Sequence, residues 1–286
     1  MAVSMAGKAM GVNQVGPACA VDVIVPLTHD EAQALATAEA EQVLAVLELL
    51  EGDDWQQPTY CTAWTVCDMV AHLAGACAGY ASWTEFRRQY LQNPHLNETG
   101  AQVDGINKRQ ILDRAERTTA ELVDEFRTAA PRAIRTRYRL PWLLRNLTIP
   151  FGPPLGTAKV AYLTDTIYTR DQWMHRYDLC AATGNSMVVS EEHDGRILAL
   201  VVLDLARKLE RMLGTQSVDL ALRGAGDPVY RLGVSDAPAG TITMSIFDFA
   251  LLSSDRITVD EAGDRVEVGG DAHLARTVLE NFSVPY

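Results

Sequence analysis

The stretch TRDQWMHRYDL, residues 169–179, decides how this chain is read. It reads as part of one long helix. Asp171 and His175 are four residues apart, and Asp178 follows three further on. Residues at that spacing share a helix face. A carboxylate and an imidazole that point the same way suit a divalent metal. The same spacing also serves an ordinary surface pair, worth roughly 0.2–0.5 kcal/mol to a helix, so spacing alone leaves both readings open. Two features favour the metal. Trp173, Met174 and Tyr177 make this a bulky, aromatic-rich stretch rather than a plain solvated helix. Asp178 stands where a carboxylate would orient a ligating imidazole. His72, in VAHLAGA, lies in a second predicted helix and would supply a third ligand. Taken alone it reads as a histidine of a buried helix face, satisfied by one hydrogen bond. Three protein ligands and an open position describe a catalytic rather than a structural zinc site.

Working outward, Thr28 is an N-cap for an Ala-, Glu- and Leu-rich helix that runs to about Leu50. Thr65, with Asp68 three later, resembles a capping box for a second helix that carries His72 and reaches about Leu91. A charged amphipathic helix is expected over 107–130, with Pro131 as its end or a kink. The proline-bearing apolar connection 139–155 follows. A fourth helix is expected over 157–182, stopped by Gly184. Four amphipathic helices with one long connection predict a four-helix bundle, whose helices two and four would bring the metal ligands together. Beyond residue 186 the pattern changes. A helix over 190–213 is followed by the β-rich runs VDLALRG, VYRLGVS, TITMSIF and RVEVGG, and by a last helix over 272–281. The fold class expected is therefore α plus α+β: a loose extension over 1–27, a metal-binding bundle over 28–186 and a small α+β domain over 187–286.

Composition bounds the function. The net charge of −12 excludes a general phosphate-backbone binder, which needs clustered Lys and Arg, so no nucleic acid is expected. No run approaches the ~18 apolar residues of a membrane helix, and residues 1–27 lack the apolar core of a signal peptide. A cytoplasmic protein is expected. The five cysteines (Cys19, Cys61, Cys67, Cys77 and Cys180) are odd in number and form no CxxC pair. They read as reduced, small, buried apolar side chains. Trp55, Trp64 and Trp173 read as core or lining residues, and Arg170 and Arg176 as solvated or ion-paired helix charges. GxSxG, Walker A, GxGxxG and HExxH motifs do not occur.

Two segments carry a resemblance. DDWQQPTYCTAWTVCDMVAHLAG resembles the opening of the metal-binding domain of the mycothiol-dependent maleylpyruvate isomerase family, where a W…P…C…W-T-V…D…V-A-H-L pattern recurs. RDQWMHRYDLCAATG is similar to that family's second signature, an acid four residues before the histidine of an H-R-x-D run. FDFALLSSDR and VEVGGD look like the small sterol-carrier-protein-like domain that often follows. The resemblance covers about residues 30–286. It implies a DinB-like four-helix domain. Carried over by motif, it also implies His72, Asp171 and His175 as ligands of a divalent metal, zinc by its donor set. Asp171 stands where the characterised isomerase has a glutamate, which shortens the carboxylate arm by one methylene. Arg256, in LLSSDR, matches the family's active-site arginine. The family-like sequence there would read G-R, and this chain has Asp255 instead.

The chemistry implied is thiol addition. A low-molecular-weight thiol, mycothiol in that family, adds to a cis double bond of a small dicarboxylic keto acid; the bond rotates and the thiol leaves. The same site would let a mycothiol S-transferase activate its thiol against an electrophile. Metal-assisted hydrolysis and a non-catalytic metal- or small-ligand-binding module stay open as alternatives. The expected partners are a small-molecule substrate and a thiol, with homodimerisation left open.

Overall fold

The computed structural model describes residues 18–98, 101–152 and 155–286. Three helices of the bundle open on reciprocal caps. α1 (His29–Leu47) begins at Thr28, whose hydroxyl accepts from the Glu31 amide at 3.2 Å while the Glu31 carboxylate reaches back. α2 (Val66–Ala81) begins at Thr65 with Asp68, and α5 (Thr119–Tyr138) at Thr118 with Glu121. Each cap satisfies backbone donors that a first turn leaves free. α3 (Trp83–Phe86) and α4 (Gln102–Leu112) lie between α2 and α5. After α5 come α6 (Trp142–Arg145), the hairpin of β2 (Thr148–Gly152) and β3 (Gly156–Lys159), and α7 (Tyr168–Thr183). α2 packs on α5 and α7, and α1 packs on α5 and α7. The core of this bundle holds Val43, Leu47, Val66, Met69, Leu73, Leu122, Phe126 and Leu179.

The second layer set starts with α8 (Arg196–Leu213), whose apolar stripe includes Val201, Val202, Leu205 and Leu209. It lies against a five-stranded sheet in the order β1-β5-β4-β6-β7. Its strands are β1 (Cys19–Ala20), β4 (Ser217–Arg223), β5 (Val229–Gly233), β6 (Gly240–Ser245) and β7 (Glu267–Gly270). β4 pairs antiparallel with β5 and parallel with β6, Leu220 facing both Tyr230 and Ile242. α9 (Ile246–Ser253), α10 (Val259–Ala262) and α11 (Ala272–Leu279) complete the layer. The fold is thus α plus α+β, as expected.

α7 belongs to both halves. Its Leu179 sits in the bundle core, while Trp173 and Met174 sit in the core of the sheet layer. Beside them lies a buried ionic cluster. Arg176 pairs with Glu39 of α1 at 2.9 Å and with Asp194 at 2.5 Å, and His193 meets Glu39 at 2.7 Å. Trp173 Nε1 donates to Asp194 at 2.8 Å. Arg170 pairs with Asp204 at 2.9 Å. Both arginines are buried, so they are ion-paired core charges rather than solvated ones.

The structure departs from the expectation at five places. The helix expected over 107–130 divides into α4 and α5, and the Thr118–Glu121 capping box is the signal for the break. α5 then continues through Pro131 to Tyr138. Pro131 is exposed, so it costs one hydrogen bond on the solvent side while Ala129, Ala130, Ala133 and Ile134 keep the buried face packed. The expected second helix stops ten residues early, at Ala81, and Ser82 caps a fresh turn. The start of the expected fourth helix is the β2–β3 hairpin, with Gly152 and Gly156 both at positive φ. Pro153 and Pro154 of that connection lie outside the described residues, as do residues 1–17 of the extension. Residues 19–24 are not loose: β1 pairs parallel with β5, and Val21 and Ile24 join the core.

Replacing Pro131 with Ala restores the missing i→i−4 bond on an exposed face. Urea unfolding is expected to show a gain of about 1–3 kcal/mol. A loss of stability would mean that the packing of α5 requires the proline.

Candidate metal centre

The three residues read as ligands meet in space. Asp171 and His175 face across from α7 to His72 of α2. His175 Nε2 lies 3.3 Å from Asp171 Oδ1, and His72 Nε2 lies 3.7 Å from Asp171 Oδ2. The three donor atoms all lie within 4.8 Å of one another. Ligand atoms about 2.0–2.1 Å from a tetrahedral centre stand about 3.3 Å apart, so the two aspartate–histidine separations are close to what a tetrahedral ion would need. The shorter arm of aspartate is no obstacle, since its two oxygens reach toward both imidazoles.

His72 is 4% exposed, and its Nε2 has no hydrogen-bond partner. A buried polar atom left unpaired costs free energy, so it calls for a ligand. A chain of amides fixes which ring nitrogen carries the lone pair. The Gly75 carbonyl can only accept, so it takes Gln89 Nε2 at 2.9 Å. Gln89 Oε1 then accepts from Gln110 Nε2 at 2.9 Å. That leaves Gln110 Oε1 facing His72 Nδ1 at 2.8 Å, so Nδ1 is the donor and Nε2 is the nitrogen turned to Asp171. Gly75 makes this approach fit: a Cβ there would stand 2.6 Å from Gln110 Cβ. Neither glutamine carries a sequence signal, because the pairing joins α4 and the turn after α3 to α2.

His175 is held from the opposite side. Its Nδ1 meets Asp178 Oδ2 at 3.0 Å. Asp178 is wholly buried, and Arg256 grips it with Nε on Oδ1 at 2.8 Å and Nη2 on Oδ2 at 2.6 Å. Arg256 follows α9, so the sheet layer reaches into the bundle here. Asp255 takes φ +57, a left-handed backbone that glycine favours and aspartate tolerates. The aspartate thus keeps the turn that a glycine would make before the arginine. Asp178 engages Nε and Nη2 of Arg256, and Nη2 also stands 3.5 Å from His175 Nδ1.

Cys61 completes a second candidate group with His175 and Asp178, its sulfur 3.7 Å from Arg256 Nη2. That group has no orphaned atom, because Asp178 is already paired. Burial pushes the Cys61 thiol up to about 11 and the Cys77 thiol up to about 12, so neither is an active thiolate at neutral pH. The expectation of buried cysteines holds for Cys77 and Cys180; Cys19 is exposed, and Cys61 and Cys67 are half-buried. Trp64 covers the site, 5.0 Å from the His72 ring and 5.9 Å from that of His175. Access runs past Asp171, which keeps 26% side-chain exposure against 5% and 6% for the two histidines.

Burial opposes charge on both Asp171 and His175, but their mutual attraction prevails. Asp171 is held well below the usual carboxylate range, and His175 is raised to about 9 by Asp171 and Asp178. Without a metal, the imidazolium therefore sits between two carboxylates.

A family profile described as the mycothiol maleylpyruvate isomerase N-terminal domain matches residues 36–180, half of the chain, which spans α2, α5 and the whole Asp171–Asp178 segment. The chain belongs to this family. Two uncharacterized proteins of Mycobacterium tuberculosis, MT0041 (strain CDC 1551 / Oshkosh) and Rv0036c (strain ATCC 25618 / H37Rv), are each 25% identical over 265 residues, covering 87% of this chain and 93% of theirs. The crystal structure of the mycothiol-dependent maleylpyruvate isomerase shares the fold, at TM-score 0.54 and 14% identity over 85% of this chain and 93% of that one. A point mutant of it aligns at TM-score 0.55. Among the described residues no helix is long and apolar enough to cross a membrane.

Arg256→Ala leaves Asp178 buried beside a single imidazole. A loss of about 3–5 kcal/mol is expected on urea unfolding, and a change under 1 kcal/mol would show that the pair does not hold the halves together. In the metal-free protein the raised His175 value favours folding fully below the unfolded value of about 6.5. That contribution is lost as pH rises through about 9. NMR of the imidazole resonances in chelated protein checks this; titration of His175 near 6.5 would contradict it.

Proposed function

We propose that this protein is a metal- and thiol-dependent enzyme in which His72, Asp171 and His175 hold a divalent ion, and in which a low-molecular-weight thiol adds to a small electrophilic substrate. The observation that carries the reading is the buried, unpartnered Nε2 of His72, turned by its amide chain toward Asp171 and His175. Two imidazoles and one carboxylate suit zinc. When bound there, such an ion lowers the pKa of a thiol and polarises a carbonyl oxygen.

The chain's own residues do the remaining work. Gln110 and Asp178 hold both rings with Nε2 forward, so the site is formed before any ligand arrives. Trp64 keeps water from one side. Asp171 leaves the approach open on the other. Cys61 and Cys77 are held as neutral thiols by burial, so the nucleophilic sulfur comes from a cosubstrate. We assign that cosubstrate as mycothiol, the thiol named for the family. Its sulfur adds to one carbon of a cis double bond while the neighbouring carbon becomes an enolate conjugated with the keto group. Rotation about the new single bond and expulsion of the thiolate return the trans isomer with no net change in atoms. With a substrate that keeps the sulfur, the same first step is S-transfer.

Elemental analysis of protein purified without a metal-chelating tag is expected to find about one zinc per chain, with turnover of an electrophilic enoate only when thiol is added. Absence of metal, or equal turnover without thiol, overturns the reading. His72→Ala and His175→Ala should each strip the ion. Gln110→Leu should weaken metal affinity by about 10–100-fold; unchanged affinity would remove the amide chain from the site.

A further inference from the structure

We infer that Arg137 is the seat of a carboxylate group carried by the substrate that this site takes. The inference deepens the function proposed above and rests on it. Four arginines are buried: Arg114, Arg137, Arg170 and Arg176. Three of them lie against carboxylates, namely Arg114 on Glu125 at 2.7 Å, Arg170 on Asp204 at 2.9 Å and Arg176 on Glu39 at 2.9 Å. Arg137 is 4% exposed and, among the described residues, no ion pair or side-chain hydrogen bond reaches its guanidinium. Its neighbours are π faces: the Tyr168 ring at 4.7 Å and the Tyr80 ring at 6.0 Å. Aromatic faces reduce the cost of burying a cation but do not supply a counter-charge.

The place of this cation points to the site. Tyr168 precedes Asp171 by three residues and shares its face of α7. Cys77 and Tyr90 each feel both the Arg137 cation and the Asp171 carboxylate, which puts the two charges on the same side of the bundle. Tyr80, Tyr90 and Tyr168 are only half-buried, and the Tyr90 and Tyr168 hydroxyls meet at 2.8 Å. Burial raises all three phenols, so they remain O–H donors. A planar guanidinium with free donors, walled by tyrosines that also donate, fits a carboxylate in bidentate fashion. Arg256, by contrast, already has Nε and Nη2 on Asp178. A carboxylate seated on Arg137 would leave the reacting end of the same molecule toward Asp171.

The test is thermal unfolding of metal-loaded wild type, Arg137→Met and Arg137→Lys, with metal content measured in each. The probes are maleate and its uncharged dimethyl ester. Wild type should be stabilised by maleate more than by the ester. Arg137→Met should need at least about 10-fold more maleate, and Arg137→Lys should fall between, since it keeps the charge without the fork. Without probe, Arg137→Met should be at least as stable as wild type, because an uncompensated charge has been removed. Equal response to maleate in wild type and Arg137→Met, no response of wild type to maleate, or a large loss of stability with unaltered response would overturn the assignment. Thiol-dependent turnover by wild type, measured on the same samples, separates failure of this seat from failure of the proposed function.

Discussion

The carboxylate of Asp178, buried between α7 and the chain after α9, constrains the rest of the molecule. Its two oxygens accept from both sides of the Arg256 fork, and one of them also takes the His175 ring. Burying two charges is expensive, and the cost is offset only where the geometry is good and the remaining lone pairs are used. Here they are. The consequence is that the sheet layer, through Arg256, sets the orientation of an imidazole in the helical bundle. The second cluster around Arg176, Glu39 and Asp194 joins the same two halves from behind. α7 is therefore fixed on three sides: by the bundle core through Leu179, by the sheet-layer core through Trp173 and Met174, and by charge through Arg176 and Asp178.

The two histidines are then aimed by different means. His175 is held by an ionic relay that crosses the two halves. His72 is held by a neutral one, in which a backbone carbonyl at Gly75 dictates the direction of two amides and thereby the tautomer of the ring. Both relays turn Nε2 toward Asp171, the one member of the group with an exposed edge. A group preorganised in this way would meet a metal without reorganising.

The sequence carried the central pair because helical spacing is a local property. Asp171, His175 and Asp178 share a face by periodicity alone, and Thr65 with Asp68 announces the helix that brings His72. Arg256 was legible only through resemblance, and its role changed on folding: the fork it offers is spent on Asp178. Gln89, Gln110 and Arg137 were not legible. The first two act across helices far apart in sequence. The third lies beyond Pro131, where a local reading ends the helix but packing of Ala133 and Ile134 against α2 carries it on.

What the sequence determined by itself is the set of elements that periodicity, caps and turn residues encode: the helices with the Asp171–His175 pair, the change to short strands after residue 186, and the membership of the family. What only the tertiary structure decided is which polar groups are paired and which are left over. Pairing is a balance between burial and partners drawn from distant parts of the chain. Among the described residues that balance leaves His72 Nε2 without a hydrogen-bond partner and Arg137 without a counter-charge, while Asp178 takes Nε and Nη2 of Arg256.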